Sequence, residues 1–361
     1  MHIFQLFLRI LCYDIDMSRW VIGLGISLLI GIGFVFWVPH LGVVSIFSPM
    51  APRVTPTPTP MPYADMTIPY LRNRRYVSKL GALQKIAENS SYTSYRTSYN
   101  SDGLTIYGLL TVPKNIPSTR SGPWPAIVFV HGYIPPAQYR TDERYVAYVD
   151  YLARNGFVVF KIDLRGNDQS QGTPSGAYYS SGYVIDTLNA RAALASSAFV
   201  NPNAIGLWGH SMAGNVVMRA FAARPEIPAV VIWAGAGYTY ADLASYGLHD
   251  TSYQRAGLRD PHALPQGVRS YYGAFSASNP FWRQVAVTDY LKDLKGAIEI
   301  HHAVDDDVVS IEYSRNLMKL LDQTSVLHQL FEYPTGGHNI EDPSFSTAMA
   351  RTVAFFTKYL R

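Results

Sequence analysis

Gly209-His210-Ser211-Met212-Ala213-Gly214 follows an apolar run, 205–208, and leads at once into a helical pattern over 211–223. A serine on so tight a strand-to-helix turn presents its hydroxyl. The Met212 backbone N–H at the helix start then faces any negative charge that forms on a bound carbonyl oxygen. The spacing is G-x-S-x-G with Ala213 in place of the second glycine. So short a pattern is common by chance, and a serine capping an ordinary helix is the plainer account. The strand before it and the helix after it favour a nucleophile.

Two further residue types complete that chemistry. His338 follows Gly336-Gly337 after a strand-like run, 327–333. Imidazole titrates near neutrality, so it can take a serine proton and return it to a leaving group. Between the two, the run 298–302 ends in Asp305-Asp306-Asp307, where a carboxylate could orient the imidazole. Three candidates stand there, and those not used are expected to cap the helix over 311–321. His210, His301 and His302 are weaker candidates for the base. A metal site on His301 and His302 lacks a third well-spaced ligand, so no metal is expected. A second donor to the developing oxyanion is expected at Tyr133, because His131-Gly132-Tyr133 ends the apolar run 126–130.

Short buried strands must place these groups. Runs at 126–130, 158–162, 205–208, 229–233, 298–302 and 327–333 alternate with helical patterns at 142–154, 183–198, 211–223, 311–321 and 345–359. Such alternation implies a mostly parallel sheet covered by helices on both faces. Upstream, 92–99 and 104–112 flank Asn100-Ser101-Asp102-Gly103 and read as a hairpin. The interval 235–294 lacks a confident strand and reads as a small helical insertion, a lid shaping a substrate pocket. Arg165 and Asp163 read as braces of the turn that follows 158–162.

The amino-terminal part has a different character. From 20 to 38 the chain is uncharged and apolar with a tryptophan at each end, nearly long enough to span a bilayer. An uncleaved anchor is favoured over a cleaved signal peptide, since no A-x-A site follows. Residues 1–19 are then an extension, 20–48 the anchor or signal segment, 49–62 a Pro/Thr-rich extended linker and 63–361 the catalytic domain. The expected location is outside the cytoplasm, tethered to a membrane or, with cleavage, secreted. The 361 residues carry a net charge of +4 with no basic run, so a nucleic-acid partner is not expected. The single cysteine, Cys12, excludes an internal disulfide and a cysteine triad.

With these motifs the chain from about residue 66 onward resembles the prolyl oligopeptidase family of serine peptidases and its α/β-hydrolase relatives of the dienelactone hydrolase type. The resemblance is carried by His131-Gly132-Tyr133, DLRGNDQSQG from Asp163, GHSMAG from Gly209, NPFWRQVAVTDYL from Asn279, HHAVDDDVV from His301 and the GGH ending at His338. It implies an α/β-hydrolase fold and a triad of Ser211, Asp306 and His338. Asp306 comes first because His302, Asp306 and Val309 fill the family pattern H-G-x-x-D-x-x-V, with Asp305 second and Asp307 third. Tyr133 and Met212 would form the oxyanion hole. Ala213, Ala303 and Ser310 depart from the usual glycines and proline. The large peptidases of the family filter substrates through a β-propeller, for which this chain has no room. A carboxylesterase acting on small apolar esters therefore stands beside a peptidase acting on short peptides. A catalytically inactive, surface-displayed binding module is the reading from a different class. No organic cofactor is expected.

Overall fold

The computed structural model describes residues 61–114 and 123–361. The segment read as an anchor lies outside these residues. Among the described residues no helix is long and apolar enough to cross a membrane.

After a short helix, α1 (Ile68–Asn73), the chain forms strands β1 (Gln84–Glu88), β2 (Tyr92–Ser101) and β3 (Leu104–Pro113). The β2–β3 hairpin turns at Asp102 and Gly103, both left-handed with φ of 55° and 82°. Asn, Asp and Gly tolerate that conformation best, which is why the expected turn forms there. Then β4 (Trp124–Val130), α2 (Val146–Arg154), β5 (Val158–Ile162), α3 (Gly182–Ala195), β6 (Val200–His210), α4 (Ala213–Ala223) and β7 (Ala229–Trp233) alternate. Four short α-helices, α5 (Tyr240–Tyr246), α6 (Ser252–Arg255), α7 (Gln266–Tyr272) and α8 (Pro280–Val285), and a 3-10 helix (Val287–Asp293) make up the insertion. The chain closes with β8 (Ala297–Ala303), α9 (Glu312–Leu321), β9 (His328–Tyr333) and α10 (Phe345–Leu360).

Among the described residues nine strands form one sheet in the order β1-β2-β3-β5-β4-β6-β7-β8-β9. Every pairing from β5 through β9 is parallel, and β1, β2 and β3 add an antiparallel edge. The side-chain period of two divides the core. Ala126, Val128, Val130, Phe160, Leu207 and Ile232 pack on the face covered by α3 and α4. Ile127, Phe129, Val159, Trp208, Val231 and Trp233 pack on the face covered by α2 and α10. This is the α/β-hydrolase arrangement that the sequence implies.

An ion pair between the half-buried Arg165 and the buried Asp186 ties the hairpin to the parallel part of the sheet. Arg165 places Nη2 2.7 Å from Asp186 Oδ1 and Nε 3.0 Å from Oδ2, while Ser101 Oγ donates to Oδ1 at 2.6 Å. Arg165 therefore braces its turn as expected, through a partner on α3. Asp163 does so separately, accepting from Tyr139 and Thr141 hydroxyls at 2.9 and 2.6 Å. Removing the buried carboxylate strands the half-buried guanidinium and the Ser101 hydroxyl. Asp186→Ala should cost about 3 kcal/mol, read as a lower urea midpoint at unchanged slope; an unmoved midpoint would show that water replaces the carboxylate.

Candidate active site

Ser211 is the turn residue between β6 and α4 and takes φ of 56°, a left-handed conformation that costs a non-glycine residue energy. Its backbone is held on both sides: its N–H donates to Trp233 O at 2.9 Å, and its carbonyl accepts from Gly214 and Ala236 N–H at 2.9 and 3.1 Å. Ala213 opens α4 rather than entering the turn, so a methyl group is accepted where the motif usually has glycine.

The expected acid and base meet between the loops that follow β8 and β9. His338 Nδ1 lies 2.8 Å from Asp306 Oδ2, so the ring donates there and keeps Nε2 for a substrate. The Asp306 side chain is fully buried. Burial pushes its carboxyl up, but hydrogen bonds from His302 and His338 and from the Val309 N–H overcome that and hold it well below the ordinary carboxylate range. Asp306 Oδ1 also accepts from the Val308 and Val309 N–H groups, each at 2.9 Å.

The other two aspartates correct the sequence reading, because neither caps α9, which starts only at Glu312. Asp305 accepts the Gly336 and Gly337 N–H groups at 3.3 and 2.8 Å, clamping the turn that carries His338. Gly336 and Gly337 have φ of 135° and 58°, which explains the glycine pair. Ser310, where the family often has proline, turns its hydroxyl to the Glu312 N–H at 3.3 Å.

His301 and His302 point to opposite faces of β8. His301 contacts Glu299, Tyr333 and Thr352. His302 contacts the Ser314 hydroxyl at 2.7 Å and Asp306 at 3.2 Å. The two imidazoles therefore cannot converge on one ion, and among the described residues no group of three metal-binding side chains occurs.

A cavity of about 730 Å³ brings the groups together; Ser211, His338, Gly132, Tyr133 and His210 all border it. Among the described residues neither Ser211 Oγ nor His338 Nε2 is engaged in a hydrogen bond, so both are open to a substrate. The N–H groups of Tyr133 and Met212 are likewise unengaged among the described residues. A Cβ on Gly132 would lie 3.0 Å from the Ser211 Cβ, so glycine is needed for the chain to pass Ser211 this closely. Tyr145, Tyr148, Phe345, Ile134 and Ala147 give the cavity apolar wall, with Arg144, Glu341 and Asp342 also lining it.

The insertion does not wall this cavity, contrary to the expectation of a pocket-shaping lid. Its rings pack on one another, as Tyr272 does on Phe281 with centroids 3.7 Å apart. It meets the cavity residues through His262 against the Tyr133 ring, and its His249 N–H donates to Val308 O in the loop after β8. Sequence reasoning also missed Tyr145 and the structural use of His210. The adjacency of His210 to the nucleophile was the only available signal.

A strained serine beside a buried Asp–His pair, on a mostly parallel sheet of this order, defines a serine hydrolase of the α/β-hydrolase class. The prolyl oligopeptidase family matches residues 144–361, more than half of the chain, and the chain belongs to that family. Human protein ABHD12B is 24% identical over 200 residues, covering 54% of this chain. This chain thus spans about half (49%) of that relative's length. Among solved structures, an acetyl xylan esterase from Paenibacillus has a TM-score of 0.59 at 16% identity, covering 81% of this chain and 92% of its own. Dipeptidyl peptidase 4 from Porphyromonas gingivalis has a TM-score of 0.57 at 19% identity, covering 75% of this chain and 36% of its own. At these identities the structural likeness speaks for the fold.

Proposed function

We propose that this protein hydrolyses small esters or amides through an acyl-enzyme on Ser211. Ser211 Oγ attacks the carbonyl carbon as His338 Nε2 takes its proton. Asp306 holds the imidazole in the tautomer that leaves Nε2 able to accept. The N–H groups of Tyr133 and Met212 receive the oxyanion. His338 then protonates the leaving group and activates the water that releases the acyl group. The observation that carries this reading is the 2.8 Å contact between Asp306 and His338 at the wall of the cavity that Ser211 borders.

The aromatic and aliphatic lining of that cavity favours a small apolar ester, which makes carboxylesterase the first reading and peptidase the second. A panel of short p-nitrophenyl esters and of aminoacyl and prolyl amides, run with the full chain, separates them. Ester turnover well above amide turnover is expected, with a fluorophosphonate mapped to the Ser211 peptide. Negligible ester turnover beside fast amide cleavage would reverse the order. Labelling on a different serine would remove the proposed mechanism altogether.

A further inference from the structure

Three segments must stay in register for this site to work: the turn after β4, the elbow and the loop bearing His338. A single chain of hydrogen bonds joins them. The Gly132 N–H donates to Tyr145 Oη at 3.0 Å, Tyr145 Oη contacts His210 Nδ1 at 2.8 Å, and His210 Nε2 contacts the His338 carbonyl at 2.9 Å.

Every donor in this chain is fixed by chemistry. A peptide carbonyl only accepts, so the proton of His210 sits on Nε2. Burial pushes the His210 pKa down to about 3, so the ring is neutral and its Nδ1 accepts the one proton of the Tyr145 phenol. That leaves the phenol oxygen lone pairs for the Gly132 N–H. The chain has one polarity and one tautomer.

Tyr145 is also held at some cost. It has φ of 58° immediately before α2, a conformation unfavourable for an aromatic residue, and its ring lies edge-on to Phe129 and Trp208. Strain of this kind persists where the surroundings over-determine it. Here the hydroxyl bridges the residue preceding the Tyr133 oxyanion donor and the residue preceding the nucleophile.

We infer that Tyr145 and His210 are positioning residues of the hydrolytic site, coupling the oxyanion turn to the backbone of the general base. This rests on the proposed roles of Ser211, His338 and the Tyr133 N–H. Neither side chain touches the reacting atoms in this scheme. Their effect is to fix where the Tyr133 N–H and the His338 imidazole stand relative to Ser211.

Steady-state kinetics on a p-nitrophenyl ester and the rate of fluorophosphonate labelling test the inference in the full chain. Tyr145→Phe keeps the ring but leaves the Gly132 N–H and His210 Nδ1 without partners. It should lower kcat and the labelling rate by roughly ten- to a hundredfold while KM stays within about twofold. His210→Gln, whose amide can still donate toward the His338 carbonyl, should retain clearly more activity than His210→Leu. Tyr145→Phe with His210→Leu together should be no worse than about the poorer single variant, because one chain is broken in either case. Tyr145→Phe with unchanged kcat, a loss confined to KM, or multiplicative losses in the double variant would overturn the inference. A wild-type protein that is not labelled at Ser211 would instead defeat the underlying functional reading. Should the His210 variants fail to fold, Tyr145→Phe decides alone.

Discussion

Alanine at Ser211 should lower kcat by about a millionfold on any substrate the protein turns over, while the fold and the KM of the residual reaction persist. The size follows from what is lost. Without the hydroxyl no acyl-enzyme forms, and only oxyanion stabilisation and binding remain. Ser211 is the one serine among the described residues bordering the cavity, so no neighbouring serine can replace it. His338→Ala should be as damaging, because an unactivated serine is a poor nucleophile at neutral pH. The double variant should then be about as active as either single one, since the two residues act as a unit. Burst kinetics on a p-nitrophenyl ester read the first effect, and fluorophosphonate labelling reads it independently. A Ser211→Ala protein that keeps a few per cent of wild-type turnover would place the nucleophile elsewhere.

The strands were legible because burial writes itself into composition. The buried strands Val158–Ile162 and Ala229–Trp233 have the very bounds expected from their apolar runs. The exposed edge strand Gln84–Glu88 went unseen, since all five of its residues face solvent and no alternation marks it. The helix expected over 142–154 starts only at Val146. The expected start included the charged Asp142-Glu143-Arg144, but the left-handed Tyr145, whose hydroxyl contacts His210, stands just before the first helical residue. Within the candidate site, Ser211, His338 and the aspartate cluster were readable as candidates from order and spacing. The residues that hold them were not. Asp305 reaches glycines more than thirty positions downstream, and His210 reaches a carbonyl 128 positions away. Such partners are set by the closing of the sheet rather than by local chain geometry.

That distinction decides which aspartate matters and by how much. Asp306→Asn should lower kcat by about ten-thousandfold with a modest change in KM. His338 Nδ1 at 2.8 Å and His302 Nε2 at 3.2 Å both face Oδ2 while Oδ1 accepts the Val308 and Val309 N–H groups, so a carboxamide that keeps its oxygen for those two backbone donors turns its NH2 to the imidazoles. His338 would then turn or change tautomer, and Nε2 would carry a proton when it needs to accept one. Asp305→Asn keeps an oxygen for the Gly337 N–H and should lose no more than about tenfold, since it only loosens the loop. The reverse ranking would transfer the orienting role to Asp305. The same pair gives a stability signature. Because the hydrogen bonds to Asp306 hold its carboxyl below the ordinary value, the stabilisation they provide is complete above the unfolded-state pKa, about 3.9, and fades as pH falls through the folded value. Wild type should therefore exceed Asp306→Asn in urea stability by a constant margin above about pH 5, a margin that narrows on acidification. A margin that instead widened towards acid would mean that the carboxyl is protonated in the folded protein and donates to its neighbours, which would leave His338 without the anion that orients it.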